Sequence, residues 1–305
     1  MRLAAAAPRP PSSMRRPLPP PPHHTRPAAF VGDPATTPAG AYHDADFDWE
    51  EHAEAARPLL EARLAAAQAA QAPSDPPAYP ARWASFHARD NASSRFYQER
   101  RYIPLAWPAL ADPAATASVV ELGCGAGSAL LPVLRANPAA RAFGVDVSQG
   151  AVGMFLEAAS RAGIDSGRVA GAVLDVATPG AAAALARVGA DACLAVFTLG
   201  ALEPAGQAAF LSAAHSCLRP GGVLYVRDHG LFDLTHMRAP TRVAGDLHTR
   251  TDGTRCFFFS PPGLATAAEA AGFTTRACKW VTVAVPNRRT GEVLRRVFVS
   301  GEFVK

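Results

Sequence analysis

Apolar runs alternating with Ala- and Leu-rich segments of helical length predict an α/β protein. Its core should be a seven-stranded, mostly parallel sheet with an antiparallel edge hairpin, preceded by a helical extension. Three observations carry this expectation. Val119-Val120-Glu121-Leu122-Gly123-Cys124-Gly125-Ala126-Gly127 is a strand running into a glycine-rich turn, and an Ala/Leu-rich helical segment follows it, as in nucleotide-binding α/β units. Strand and helix patterns then alternate regularly as far as Arg227. Finally, two closing strand patterns lie close enough in sequence to pair as a hairpin.

In chain order, residues 1–43 form an Ala/Pro-rich tail. It carries Arg2, Arg9, Arg15, Arg16 and Arg26 and has no acid before Asp33. Such a stretch offers too little apolar surface to offset its ordering entropy and is expected to be disordered. Its arginine-rich, acid-free character also fits a transit peptide, although its proline density opposes an amphipathic helix. Cytoplasmic residence is the expectation, with mitochondrion or plastid as the alternative if this tail is a targeting signal.

Residues 44–112 read as a helical, aromatic and basic extension. A helix is expected from about Glu50 to Ala72, ended by Pro73, Pro76, Pro77 and Pro80. Beyond it Trp83, Phe86, Phe96, Tyr97, Tyr102 and Trp107 interleave with Arg82, Arg89, Arg95, Arg100 and Arg101. That mixture suits packing on the main domain, and it equally suits stacked bases and phosphates.

Residues 113–305 form the main domain. After the glycine turn a helix is expected over 126–136 and a strand over 141–146. Ser148 can cap a helix to about Ala162. A strand over Val169 to Leu174 leads to Asp175-Val176, and a short helix follows Pro179. Asp191 to Thr198 reads as strand, Pro204 to Leu218 as helix and Val223 to Arg227 as strand, after the tight turn Arg219-Pro220-Gly221-Gly222. Ser260 or Pro261 starts a last helix to Ala271, and the closing strands cover about 277–285 and 293–303. Residues 229–259 break the rhythm. They are rich in arginine and phenylalanine and are expected to form a substrate lid at the ligand edge.

Composition sets broad limits. The net charge of +4 does not announce a nucleic-acid binder. Cys124, Cys193, Cys217, Cys256 and Cys278 are widely spaced, without a Cys-x-x-Cys pair, and read as reduced thiols. No apolar run is long enough for a membrane span. His229 and His236 lack partner spacing for a metal, so no metal site is expected.

The turn itself narrows the ligand. The dinucleotide fingerprint needs glycine where this chain has Ser128, and the phosphate-binding P-loop needs a lysine that is absent. An acid-x-Gly-x-Gly-x-Gly sequence followed by Asp146, a little over twenty residues after Gly123, resembles motif I of class I S-adenosylmethionine (SAM) methyltransferases. There Asp146 would accept hydrogen bonds from ribose hydroxyls.

More specific segments lie on either side. Val226 to Asp233 (Val-Arg-Asp-His-Gly-Leu-Phe-Asp) and Arg250 to Phe259 (Arg-Thr-Asp-Gly-Thr-Arg-Cys-Phe-Phe-Phe) resemble signatures of the tRNA N3-methylcytidine methyltransferases. So do Phe96 to Tyr102, Phe197 to Pro204 and Arg296-Val297-Phe298, with a weaker match at Asp46 to Trp49. The resemblance implies a Rossmann-like class I methyltransferase fold and SAM-dependent methylation of cytidine N3 where the tRNA anticodon loop begins. It also implies, for some members, a protein partner such as an aminoacyl-tRNA synthetase.

The residues implied to bind SAM are Trp83, His87, Gly123, Asp146, Asp175, Val176 and Val196, to which the motif adds Glu121, Gly125 and Gly127. His87 and His229 stand where the family has tyrosine, and the spacing before Phe96 differs by about two residues. Asp228, at the end of the fifth strand, is the candidate catalytic carboxylate; the bland alternative is a structural acid bonded to a lid arginine. Arg100, Arg101, Arg227, Arg250 and Arg255 are the candidates for tRNA contacts. The rival functions are a SAM methyltransferase for a small molecule or protein, and a non-catalytic SAM-fold subunit that binds RNA.

Overall fold

The computed structural model describes residues 42–68, 98–239, 241–250, 253–287 and 289–305. The expectations for the tail through residue 41 and for residues 69–97, with Trp83 and His87 among them, lie outside the described residues.

Helix α1 (Trp49–Gln68) opens the described chain, and α2 (Ile103–Ala106) follows. The main domain then runs β1 (Ser118–Leu122), α3 (Leu130–Ala136), β2 (Arg141–Asp146), α4 (Gln149–Arg161), β3 (Val169–Val173), α5 (Gly180–Leu185), β4 (Ala190–Val196), α6 (Pro204–Cys217) and β5 (Leu218–His229). Next come α7 (Leu234–Arg238), three short strands β6 (Thr241–Ala244), β7 (Leu247–Thr249) and β8 (Arg255–Phe257), α8 (Pro261–Ala270), β9 (Thr274–Pro286) and β10 (Val293–Val304).

The large sheet has seven strands in the order β3-β2-β1-β4-β5-β10-β9. The first five are parallel, whereas β10 pairs antiparallel with both β5 and β9, so the expected edge hairpin forms. Reversal of strand order between β1 and β4 opens a crevice at the strand C-terminal ends, where α/β sheets bind ligands.

Caps start the helices where the side chains allow. Ser148 Oγ accepts from Ala151 N at 3.3 Å, and Ser260 Oγ accepts from Gly263 N at 3.2 Å, each satisfying an otherwise orphaned donor. Central strands are apolar on both faces because both are covered. On one face α5, α6 and α8 bury Leu185, Phe210 and Leu264 against Val226, Val299 and Phe303. On the other, α2, α3 and α4 bury Ile103, Leu130 and Phe155 against Val119 and Leu194.

The segment expected as a lid is a folded unit. Strands β6, β7 and β8 make a second, antiparallel sheet, and α1 packs on the lid through Ala53, Ala56, Leu60 and Leu64 against Phe232. That spacing places one apolar stripe on a single helix face, and each buried leucine contributes about 2 kcal/mol. Arg63 Nη1 and Nη2 donate to the Met237 and Arg238 carbonyls at 2.9 and 3.2 Å. Trp49 also stacks on Trp280 of β9 with ring centroids 4.1 Å apart. Helix α1 therefore fastens this segment to the sheet edge. No helix among the described residues is long and apolar enough to cross a membrane.

Candidate active site

Those of the residues implied to hold the cofactor that lie among the described residues stand along one sheet edge. Gly123, Gly125 and Gly127 have φ of 79°, 51° and 80°, so the turn needs residues without a Cβ penalty. Gly123 N and Cys124 N both donate to Val145 O, at 2.7 and 2.9 Å, which pins the turn to the end of β2. Space is tight as well: a Cβ at Gly123 would lie 2.2 Å from Thr198 Cγ2, and one at Gly127 would lie 2.3 Å from Phe155 Cδ2.

Asp146 ends β2. Its Oδ2 accepts from Gly125 N and its Oδ1 from Ser148 N, both at 2.9 Å. Each carboxylate oxygen keeps a second acceptor site, so the acid both braces the turn and can receive ligand hydroxyls. Asp175 and Val176 follow β3 and Val196 ends β4, along the same edge. Glu121 lies on β1, 2% exposed, with Oε2 lacking any hydrogen-bond partner. Burial pushes its carboxyl well above the usual carboxylate range, Arg100 opposes that shift and Asp146 adds to it.

Next along the edge stands Asp228, 1% exposed at the end of β5. Its Oδ2 accepts from Gly200 N at 2.7 Å and its Oδ1 from His229 N at 2.8 Å. Burial raises its pKa against the charge of His229, these two backbone donors and Arg100. Its partners are thus backbone amides, not a lid arginine. The Gly200 bond ties β5 to the loop after β4, where a Cβ on Gly200 would lie 2.6 Å from Asp228 Oδ1.

In that loop Phe197 adopts φ of 58°, strained for a residue with a side chain, and is held by its N–H to Arg227 O at 2.8 Å. Its ring meets His229 at 4.9 Å and Phe298 at 5.5 Å between centroids.

The arginines separate by environment. Arg227 is 2% exposed and lies within 6 Å of the Tyr42, Tyr102 and Trp107 ring centroids, at 5.8, 5.4 and 5.8 Å, with Nη2 donating to Tyr42 Oη. The expectation that it meets tRNA is corrected: an aromatic cage holds this cation inside the fold. Arg255 pairs through Nη1 with Glu203 at the start of α6. Arg100 is half-buried, with its guanidinium 4.3 Å from the Phe197 ring centroid. Arg250 closes a lid turn through its backbone, accepting from Gly253 N at 3.0 Å and donating to Thr254 O at 2.7 Å. Arg101, with its side chain 72% exposed and Nε 3.7 Å from Glu99, is the candidate presented to solvent.

One organising residue escaped the sequence reading. Asp233 is fully buried and caps α7 through Thr235 N at 2.8 Å. It also accepts from Arg296 Nε at 2.8 Å and Val297 N at 3.0 Å, and lies 3.3 Å from His229 Nδ1. Arg296 and the other donors hold its carboxyl well below the usual range against the cost of burial. The signal available was an Asp immediately before a short helix, the N-cap pattern.

A donor with a ribose and an ammonium group fits this edge. The glycine turn leaves no room for side chains, Asp146 has acceptor capacity left, and Glu121 Oε2 is orphaned and buried. Among the described residues no group of His, Cys, Asp and Glu could hold a metal ion.

Comparison with known proteins agrees. A family model described as a methyltransferase domain matches residues 92–277. O-methyltransferase 3 of Dictyostelium discoideum is 32% identical over 199 residues, which cover 64% of this chain and 45% of that protein. The tRNA N(3)-methylcytidine methyltransferase Mettl2 of Drosophila melanogaster is 29% identical over 273 residues, 84% of this chain and 81% of that one. The chain thus spans less than half of the Dictyostelium relative and most of the fly one. Among solved structures, the O-methyltransferase NcsB1 of neocarzinostatin biosynthesis, in complex with SAM, superposes with a TM-score of 0.51 at 20% identity. That match covers 84% of this chain and 70% of that one, and shows a shared fold. The chain belongs to this methyltransferase-domain family, within the class I superfamily whose methyl donor is SAM.

Proposed function

We propose that this protein methylates N3 of a cytidine in tRNA, where the anticodon loop begins, with the base turned out of its stack. One observation carries the reading. The two segments that resemble N3-methylcytidine methyltransferase signatures, distant in sequence, fold against each other beside the glycine turn. Phe259 N donates to His229 O at 2.9 Å and Leu231 N donates to Phe259 O at 3.0 Å, so both segments frame Asp228. Alignment of the fly tRNA N(3)-methylcytidine methyltransferase with 84% of the chain supports the same reading.

SAM, when bound, supplies an electrophilic methyl group. Cytosine N3 has an in-plane lone pair and no proton at neutral pH, so the protein need not remove a proton first. Its residues have to hold an unpaired base in line, and orientation of that kind can lower a barrier by about 7–11 kcal/mol. A loop nucleotide extruded from its stack satisfies that requirement. Asp228 keeps an acceptor site on each oxygen for the exocyclic amine, and as a carboxylate it would oppose the positive charge that develops on the methylated base. Arg101 is the proposed phosphate contact.

A hydroxyl acceptor is the second reading, favoured by the 32% identity to the Dictyostelium O-methyltransferase. A hydroxyl carries a proton that must leave, and His229 beside Asp233 would have to take it.

Asp228→Asn decides between them. On the cytidine reading it lowers methyl transfer to tRNA while S-adenosylhomocysteine affinity stays within about twofold of wild type. Full tRNA methylation by this variant would overturn the role of Asp228, and transfer to a hydroxylated metabolite in place of tRNA would favour the second reading.

A further inference from the structure

Arg100 reaches the cofactor edge from the extension. Its backbone N–H donates to Ser128 O, just past the glycine turn, at 2.7 Å. Its guanidinium lies over Phe197, the strained residue that directly follows Val196. The Nε of Arg100 is buried and has no hydrogen-bond partner. Neighbouring Glu99 pairs with Arg135 and Arg101 instead. Among the described residues none forms an ion pair with Arg100.

Two acids, Glu121 and Asp228, feel its charge, and burial raises the pKa of both, but neither forms an ion pair with it. A buried guanidinium Nε left without a partner is costly, and a ligand oxyanion in its plane would satisfy the fork. The stack on Phe197 fixes that plane, which a lysine could not do. With the glycine turn holding the adenosine half of the donor, the anion next to the turn is the carboxylate at the donor's methionine end.

We infer that Arg100 binds the α-carboxylate of the methyl donor and not an RNA phosphate. This rests on the assignment of the glycine turn to SAM. Three positive-φ glycines and a ribose-binding acid recognise the nucleoside; the stacked arginine recognises the amino acid. A nucleoside without the carboxylate should therefore bind through the turn alone.

Calorimetry on the full chain tests this with S-adenosylhomocysteine and its decarboxylated analogue. Wild-type protein should bind S-adenosylhomocysteine about 10- to 100-fold more tightly, the range of a charge-assisted pair. Arg100→Met should lose affinity for S-adenosylhomocysteine by a similar factor and bind the two compounds alike, closing a double-mutant cycle. The wild-type comparison needs no variant, so a poorly folded Arg100→Met still leaves the inference exposed to disproof.

Equal wild-type affinity for both compounds overturns it. So does an Arg100→Met protein that keeps the wild-type preference but loses tRNA affinity, which would assign the guanidinium to a phosphate. Folded wild-type protein that binds neither nucleoside overturns the glycine-turn assignment as well, and is distinct from both earlier results.

Discussion

Gly123→Ala introduces a methyl group 2.2 Å from Thr198 Cγ2 and 2.5 Å from Thr198 Oγ1, on a backbone with φ of 79°. Two costs follow. Holding a residue with a Cβ in the left-handed region costs about 1–2 kcal/mol. Forcing the methyl into occupied space costs about 1–3 kcal/mol more. Thr198 cannot simply withdraw, because its Oγ1 donates to Gly123 O at 3.3 Å and it follows Phe197 in a strained loop. Nor can the turn, pinned by two N–H groups to Val145 O.

The expected total is about 2–5 kcal/mol, a fall in melting temperature of roughly 5–15 °C. If the turn shifts instead, S-adenosylhomocysteine affinity drops about tenfold or more. Thermal melting and calorimetry read both. The double variant Gly123→Ala/Thr198→Gly removes the overlap and should retain only the dihedral cost, about 1–2 kcal/mol. A single variant that melts and binds like wild type, or a double variant no better than the single, would refute the reasoning.

Asp233→Asn should lower stability by about 3 kcal/mol or more, since it leaves the Arg296 charge half-satisfied inside the fold; thermal melting checks it. Because the Asp233 pKa is depressed, its contribution is present above the unfolded carboxylate pKa and fades as pH falls through the lower folded value, so wild type and variant should converge in acid. Arg101→Ala should weaken tRNA binding and flatten its salt dependence by about one charge while leaving S-adenosylhomocysteine affinity unchanged, as filter binding across salt would show.

The lid carries a buried histidine pair, His236 and His248, with Nε2 atoms 3.2 Å apart and pKa values pushed down to about 3 and about 4. Burial is the main cause for both. For His236 the neighbouring ring and Arg242 reinforce it against Asp233; for His248 Arg242 reinforces it against Glu61. The unfolded chain then binds protons that the fold excludes, so the melting temperature should fall as pH drops from about 6.5 towards 4. A melting temperature flat across that range in a His236→Gln/His248→Gln variant, against a sloping wild type, is the expected control.

The parallel core was legible because its signals are local. A glycine turn after an apolar strand, Ser148 and Ser260 as caps, and two closing strands joined by a short turn each depend on neighbours in sequence. The segment expected as a lid was not, since β7 and β8 are three residues each and form only by pairing within the small sheet. An arginine among aromatics reads the same whether the rings are bases or the protein's own. For Arg227 the answer came from Tyr42, 185 residues away, and Tyr102. For Arg100 it came from Phe197, and for Arg255 from Glu203, both on the loop and helix after β4. Asp233 gained its importance through Arg296, 63 residues on, a pairing that no local spacing announces.

Nucleoside mass spectrometry after incubating the purified protein with SAM and bulk tRNA tests the central claim most directly. The account predicts N3-methylcytidine, in amounts that fall when Gly123 or Asp228 is replaced. Formation of N1-methyladenosine or N5-methylcytidine, or methyl transfer to no tRNA nucleoside at all, would contradict it.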